Sequence, residues 1–215
     1  RFFVPKVEMG QGVHTALAQI AAEELEVDWQ QIEVVQAGTA QGLNDSMGTG
    51  NSNSVSSTFT PIREAAATLR ELLRREAARQ LGVPAASLSA ASGLFTVNND
   101  AATSTTYGEV VANADVNSWE IPEEAPALKP ASEFRFVGKA APRVDFESKL
   151  TGQARYGYDM RLPNMLYGAV ARPRTIEGNL TRVAAGEAPN RPGVIAVVAE
   201  DEFAGVAAES RLQAY

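Results

Sequence analysis

The 215-residue sequence contains no cysteine and a single histidine, His14. Without cysteine the chain cannot form a disulfide, a thiolate zinc site, a cysteine nucleophile or an iron–sulfur cluster of its own. One imidazole excludes zinc sites built on two or three histidines and leaves at most one Ser/His dyad. Bases are also in deficit. The 19 Lys and Arg stand against 26 Asp and Glu, a formal net charge of −7, which argues against nucleic acid or an anionic membrane as the main partner. Long apolar runs are missing too: the longest, at residues 194–199, falls far short of the roughly 20 residues that span a bilayer. The first residues, Arg1-Phe2-Phe3-Val4-Pro5-Lys6-Val7, lack an initiator methionine and the features of a secretory signal. They read as the inside of a strand, and residues 211–215 as the inside of a helix, so the sequence reads as a fragment of something longer.

What is present has the makeup of a folded α+β protein, with 45% hydrophobic and 21% charged residues. Phe2, Val4 and Val7 lead into a glycine-flanked turn, Gly10-Gln11-Gly12, after which Val13, Leu17, Ile20 or Ala21, and Leu25 recur at helical spacing. Strand, tight turn and helix are predicted, then a short strand at 32–35. Residues 38–58 hold Gly, Ser, Thr, Asn and Asp almost throughout and read as a loop longer than an ordinary connection. A strong helix follows, with Thr60 as N-cap, Pro61 at its first position, and Ile62, Ala65, Ala66, Leu69, Leu72, Leu73 and Ala77 on one face. Gly82-Val83-Pro84 ends it. Leu94 to Val97, the Asn98-Asn99 turn and the stretch to Thr105 predict a hairpin, and Thr106 to Glu109 has capping-box spacing. This first unit covers residues 1–114. Residues 115–150, with Pro122, Pro126, Pro130 and Pro142, predict an extended connector. A small mixed domain is expected over 151–215, with strand-like runs at 154–157, 165–171 and 194–199 and a helix from Glu202 to Ala208.

Two segments carry candidate chemistry. In Glu8-Met9-Gly10-Gln11-Gly12-Val13-His14-Thr15, glycines that admit a ligand close to the backbone feed a helix start with unpaired N–H groups, the makings of an anion cradle. Thr15 stands where the Rossmann fingerprint has its third glycine, and no Gly-Lys-Ser/Thr follows, so neither dinucleotide fingerprint nor P-loop is matched. On spacing alone the glycines are expected to serve turn geometry. The second segment, from Met47 to Ser57, offers backbone donors and short hydroxyls for a phosphate or polar heterocycle, against the bland alternative of a flexible linker. It is not a nucleophile elbow, because Ser54 stands where the final glycine belongs. His14 has no partnered nucleophile and reads as a capping or packing residue. Glu23-Glu24 and Glu123-Glu124 are expected in solvent, as are Arg70, Arg74, Arg75 and Arg79 on the long helix.

Taken together, these segments resemble the molybdenum hydroxylases of the xanthine dehydrogenase and aldehyde oxidase family. Met9-Gly10-Gln11-Gly12-Val13-His14-Thr15 is similar to that family's Met-Gly-Gln-Gly-x-His-Thr signature, and Ser54-Val55-Ser56 falls where the family has a small-residue segment beside the pterin. Lys149 to Tyr156 with Asp159 to Val170 resembles the opening of the family's α/β hammerhead domain. That domain follows the cofactor motif here, the order found in large subunits of the isoquinoline 1-oxidoreductase type, and Arg135 to Asp145 resembles that branch as well.

The resemblance implies a bacterial oxidoreductase fragment: a molybdenum-cofactor-binding lobe followed by an α/β hammerhead. It also implies that Gly10, Gln11, Gly12, Ser54, Val55 and Ser56 contact molybdenum-molybdopterin, expected in its cytosine dinucleotide form. The cofactor's dithiolene would supply the metal's sulfurs, so no protein metal ligand is expected. The family's catalytic glutamate sits in a Gly-Glu-x-Gly setting absent from this sequence, so no catalytic residue is expected in this chain and the chain alone should be inactive. The implied partners are a small subunit carrying two two-iron iron–sulfur clusters and an N-heterocycle or aldehyde substrate that is hydroxylated with water. Compartment stays open between bacterial cytoplasm and periplasm. The alternative from a different class is a non-catalytic binding or scaffold module whose glycine and serine loops hold some other phosphate.

Overall fold

The computed structural model describes residues 1–38, 48–173, 175, 178–200 and 203–215. They form two compact units, residues 1–154 and 155–215. Residues 39–47, the first part of the predicted loop, and with them Met47 of the second candidate segment, lie outside the described residues.

The first unit opens with a β-α-β turn of chain: β1 (Phe2–Val4), α1 (Val13–Leu25) and β2 (Val34–Gln36), with the two strands parallel and Phe2 opposite Val34. The spacing that predicted α1 is the spacing it buries: Val13, Leu17 and Ile20 join Val4 in a core that Phe59, Ile62 and Val137 close from outside. Helix α2 spans Ser54–Leu81, so it begins before Thr60, and Pro61 lies inside it. The predicted start followed proline's preference for a first turn. The missing Pro61 N–H costs one ladder bond, while the turn ahead of it is held by burial of Ser54 and Thr58 and by the Thr58 hydroxyl donating to the Ser54 carbonyl at 2.7 Å.

A meander follows, β3 (Leu88–Ala91), β4 (Leu94–Val97) and β5 (Asp100–Thr106), capped by α3 (Tyr107–Ala112). Its hairpin turn is Asn98-Asn99, both left-handed at φ 50° and 62°, the conformation a two-residue hairpin loop demands. The capping box is present: the Glu109 amide donates to Thr106 Oγ1, and Thr106 N–H donates to Glu109. Fully buried Phe95, stacked on Tyr107 at 4.7 Å between centroids, joins Leu73, Ala77, Leu88 and Val110 in the second core cluster.

Of the predicted connector 115–150, residues 115–145 carry 3-10 turns and no strand or α-helix, but its last five residues form a helix, α4 (Phe146–Leu150), past the final proline at 142, which corrects the expectation that the whole stretch is free of helix. The segment is tied down by α1. Thr15, Gln19 and Glu23 form a stripe at i, i+4, i+8: Thr15 Oγ1 accepts from Val144 N–H, Gln19 Nε2 donates to the Phe136 and Lys139 carbonyls, and the Glu23 carboxylate accepts from the amides of Arg135, Phe136 and Val137 at 2.7–3.0 Å. Glu24 takes the Lys129 amide and the Arg63 guanidinium, 2.6 Å away.

Glu23 and Glu24, expected in solvent, are 1% and 0% exposed. Burial pushes the Glu23 carboxyl up, but Lys129 and the three amides outweigh it and hold the group below the ordinary carboxylate range. Arg70 is likewise no solvated residue, since its guanidinium donates to the Glu24 carbonyl. Arg74, Arg75 and Arg79 do pair at the surface, with Glu71 and Glu76.

The second unit is an antiparallel sheet ordered β6 (Tyr167–Ala171), β8 (Ala204–Ala208), β7 (Val194–Ala199), followed by α5 (Arg211–Ala214). The helix predicted from 202 is instead the central strand, residue 202 itself lying outside the described residues. Alanine's helical propensity yields there to pairing on both edges. The smallness of the residues is what pairing needs: a Cβ on Gly205 would lie 2.9 Å from the Ala169 carbonyl oxygen. Residues 154–157, predicted as a strand, form none; a 3-10 turn at Gly157–Asp159 follows.

Candidate functional site

The two glycine- and serine-rich segments meet. A cleft of about 450 Å³ has Gln11 and Gly12 on one wall and Thr49, Ser52, Ser54 and Val55 on the other. Short tethers hold the walls together. Lys6 Nζ donates to the Gly48 carbonyl at 3.1 Å, and Val7 N–H donates to Thr49 Oγ1 at 2.9 Å. His14 Nε2 lies 3.1 Å from both the Lys6 carbonyl and Gln36 Oε1, so the histidine braces the strand ends, in keeping with a packing role.

The first wall is a turn that only glycine tolerates without strain, with φ of 108° at Gly10 and 83° at Gly12. Gln11 is exposed, and its amide folds back on the turn: Nε2 donates to the Val7 carbonyl at 2.8 Å and Oε1 accepts from Met9 N–H at 2.6 Å. The candidate anion cradle at the start of α1 is already filled. Glu8 accepts from the amides of Gly10 (2.8 Å), Gly12 (2.9 Å) and His14 (3.3 Å), and Arg143 Nη2 reaches it at 3.1 Å. Partial burial pushes the Glu8 carboxyl up, yet these amides and the Arg143 charge together hold it below its ordinary value. The chain supplies its own anion here, so of the two readings of this turn the free cradle is set aside and the glycines serve turn geometry, as spacing alone leads one to expect.

The second wall is the start of α2. Asn51 and Ser52 are left-handed, at φ 52° and 54°, and turn the chain into the helix. Asn53 is the N-cap residue, but its side chain makes no capping bond, and the first turn holds no acidic residue. Among the described residues, the first amides of this 28-residue helix therefore have no capping side chain. Ser54 is buried and Val55 is 39% exposed toward the cleft, whereas the Ser56 hydroxyl turns away to the Asn53 carbonyl at 3.1 Å.

Of the six residues singled out, Gln11, Gly12, Ser54 and Val55 thus line one cleft, Gly10 lies in the turn behind it, and Ser56 sits on the first turn of α2 outside the lining. Missed from the sequence were Glu8 as the cap, Arg143, and Asp145, which binds Arg143 through Nε at 2.8 Å and Nη2 at 2.9 Å. A carboxylate just ahead of a helix start was a local signal for Glu8; nothing local marks Arg143. A larger apolar groove of about 1000 Å³, lined by Phe2, Phe3, Leu25, Ile62, Leu69 and Tyr107, contains neither segment. Among the described residues no group of three or more His, Cys, Asp and Glu is placed to hold a metal ion, and no helix is long and apolar enough to cross a membrane.

Comparison with known proteins adds a family. The model of the molybdopterin cofactor-binding domain matches residues 2–158. A subunit of nicotinate dehydrogenase from Pseudomonas putida is 38% identical over 216 residues, 97% of this chain and 18% of its own length. The beta subunit of isoquinoline 1-oxidoreductase from Brevundimonas diminuta is 33% identical, over 97% of this chain and 32% of its own length. A Gluconacetobacter polyoxogenes protein named membrane-bound aldehyde dehydrogenase (pyrroloquinoline-quinone) is 36% identical, over 82% of this chain and 23% of its own. The chain therefore spans less than a third of the length of each of these relatives.

Proposed function

The chain belongs to the molybdopterin cofactor-binding domain family, and from that premise we propose that its cleft forms one side of the molybdenum-cofactor pocket of a larger bacterial oxidoreductase. The observation that carries the reading is that Gln11-Gly12 and Ser54-Val55, far apart in sequence, face each other across one cleft. The donor set suits such a ligand. It combines a turn without side chains at Gly10 and Gly12, the amides at the start of α2, which no side chain among the described residues caps, and the second N–H of the Gln11 amide. When bound, the cofactor supplies a two-electron redox centre whose sulfur ligands are its own, so this chain needs no metal-binding side chain.

On this reading Gly10 and Gly12 permit close backbone approach, Gln11 orients polar groups by hydrogen bonding, and Ser54, Val55 and Ser56 present the opening of α2 to the pterin side. An anionic group is directed away from the α1 start, where it would meet Glu8, and toward the start of α2. The same feature speaks against the alternative of a module holding phosphate in its glycine turn, because that position is filled. The finer assignments are part of the proposal: the cytosine dinucleotide form of the cofactor, a partner subunit with two two-iron clusters, and an N-heterocycle or aldehyde substrate hydroxylated by the whole enzyme. So are the division into a cofactor lobe at 1–114, a connector at 115–150 and a hammerhead-like domain at 151–215, and the location of the catalytic base outside this chain.

Val55→Arg tests the cleft. A long side chain at a half-exposed position should leave the fold intact and fill the space. In the full-length protein, molybdenum per chain is expected to fall at least tenfold with little change in Tm; unchanged molybdenum content would remove the cleft from the cofactor site.

A further inference from the structure

We propose that Glu8 and Arg143 are positioning residues for the Gln11 turn, a clamp through which the distant 143–145 segment sets the shape of the cleft wall. The inference rests on the reading that this wall faces a cofactor. Its starting point is a mechanical problem. A turn with left-handed glycines on both sides of Gln11 has little stiffness of its own, yet Gln11 must hold one orientation to act on a ligand.

The structure solves this from both ends of the turn's hydrogen bonding. Glu8 gathers the amides of Gly10, Gly12 and His14, while Arg143 Nη1 donates to the Gly10 carbonyl at 2.8 Å. Both the N–H and the C=O of Gly10 are thereby fixed by side chains. Arg143 in turn is aimed by Asp145, which takes Nε and Nη2 as a fork, and its backbone neighbour Val144 is pinned to buried Thr15 at 3.0 Å. The Asp145 fork chiefly raises the Arg143 pKa, so the guanidinium stays charged. Four contacts from one planar group explain why arginine and not lysine fits the position, since an ammonium cannot fork to Asp145 and still reach Gly10 and Glu8. Arg143 also offsets the Glu8 charge beside a cleft that is otherwise rich in donors.

The test compares Arg143→Lys, Arg143→Ala and Glu8→Gln with the unmodified full-length protein. Metal analysis of the unmodified protein comes first and decides the cofactor reading by itself: absence of molybdenum sinks that reading, and the positioning role with it. Given molybdenum, amide hydrogen exchange at Gly10, Gly12 and His14 should speed up at least tenfold in Arg143→Ala and Glu8→Gln, with Ala18 to Ala22 unchanged. The electron paramagnetic resonance line shape of the partly reduced molybdenum should change with it. Arg143→Lys should restore Tm but not the exchange rates. Unchanged exchange in both loss variants would overturn the clamp, and faster exchange with an unaltered resonance signal would overturn the positioning role while leaving the cofactor reading intact.

Discussion

Two helices point their starts at the same cleft and treat them in opposite ways. At α1 the chain brings its own carboxylate, Glu8, which three amides hold at 2.8–3.3 Å. At α2 the Asn53 side chain caps nothing and no acid lies in the first turn. A helix start is favourable for one anion, and among the described residues one start is filled by a side chain and the other is not.

The largest effect that would sharpen this contrast is expected from Gln11→Leu. Loss of a preorganised donor beside a reacting centre costs on the order of a hundredfold in rate, to be read as turnover per bound molybdenum in the full-length enzyme. Because Gln11 also bonds Val7 and Met9 at the surface, stability should fall by about 1 kcal/mol, measurable by urea unfolding. Turnover that falls only in step with folded protein would make Gln11 a turn brace alone.

Glu8→Ala should follow, at about 2 kcal/mol, since it uncaps α1 and deprives Arg143 of a partner. Asn53→Ala should cost under about 0.5 kcal/mol because no capping bond is lost. Equal costs at the two positions would break the comparison.

Acid should then erase the Glu8 effect. Its carboxyl is held below the ordinary value of about 4.3 in the folded chain, so the stability it contributes is fully present above that value and is lost as pH falls through the lower folded one. The difference between Glu8→Ala and the unmodified chain should therefore be flat above about pH 5 and shrink below about pH 4. A difference that grows in acid would mean that Glu8 folds as the neutral acid.

The smallest effect is the most pointed. Asn53→Asp adds a carboxylate at the open helix start and should raise stability by about 0.5 kcal/mol, while lowering the molybdenum content of the full-length protein. A rise in both would show that no anionic group reaches α2.

Local chemistry made much of the fold legible beforehand. The 3.6-residue spacing from Val13 to Leu25, the Asn98-Asn99 turn, the Thr106/Glu109 capping box and the β-branched run of β7 each carry their structure within a few residues. The pairing of Gln11 with Ser54 across the cleft was reachable only through family resemblance, since no local pattern joins them. What local reading got wrong depends on distant partners. Glu23 and Glu24 look solvated until residues 129–137 arrive to bind them, and Ala204 to Ala208 look helical until strands pair on both sides. Proline's preference for helix starts placed the beginning of α2 at Pro61, seven residues past Ser54.

The polar stripe on α1 also sets a timetable for synthesis. Glu23 leaves the ribosome 113 residues ahead of Phe136, whose amide donates to it, and at about 5–20 residues per second that interval is roughly 6–23 s. Until then the Glu23 carboxylate lacks the amides of residues 135–137 that hold it in the folded unit, whereas Glu24 has Arg63 within reach far earlier in the chain. The late segment brings those amides, so the buried charge of the first unit is satisfied by a stretch of chain with hardly any regular structure of its own.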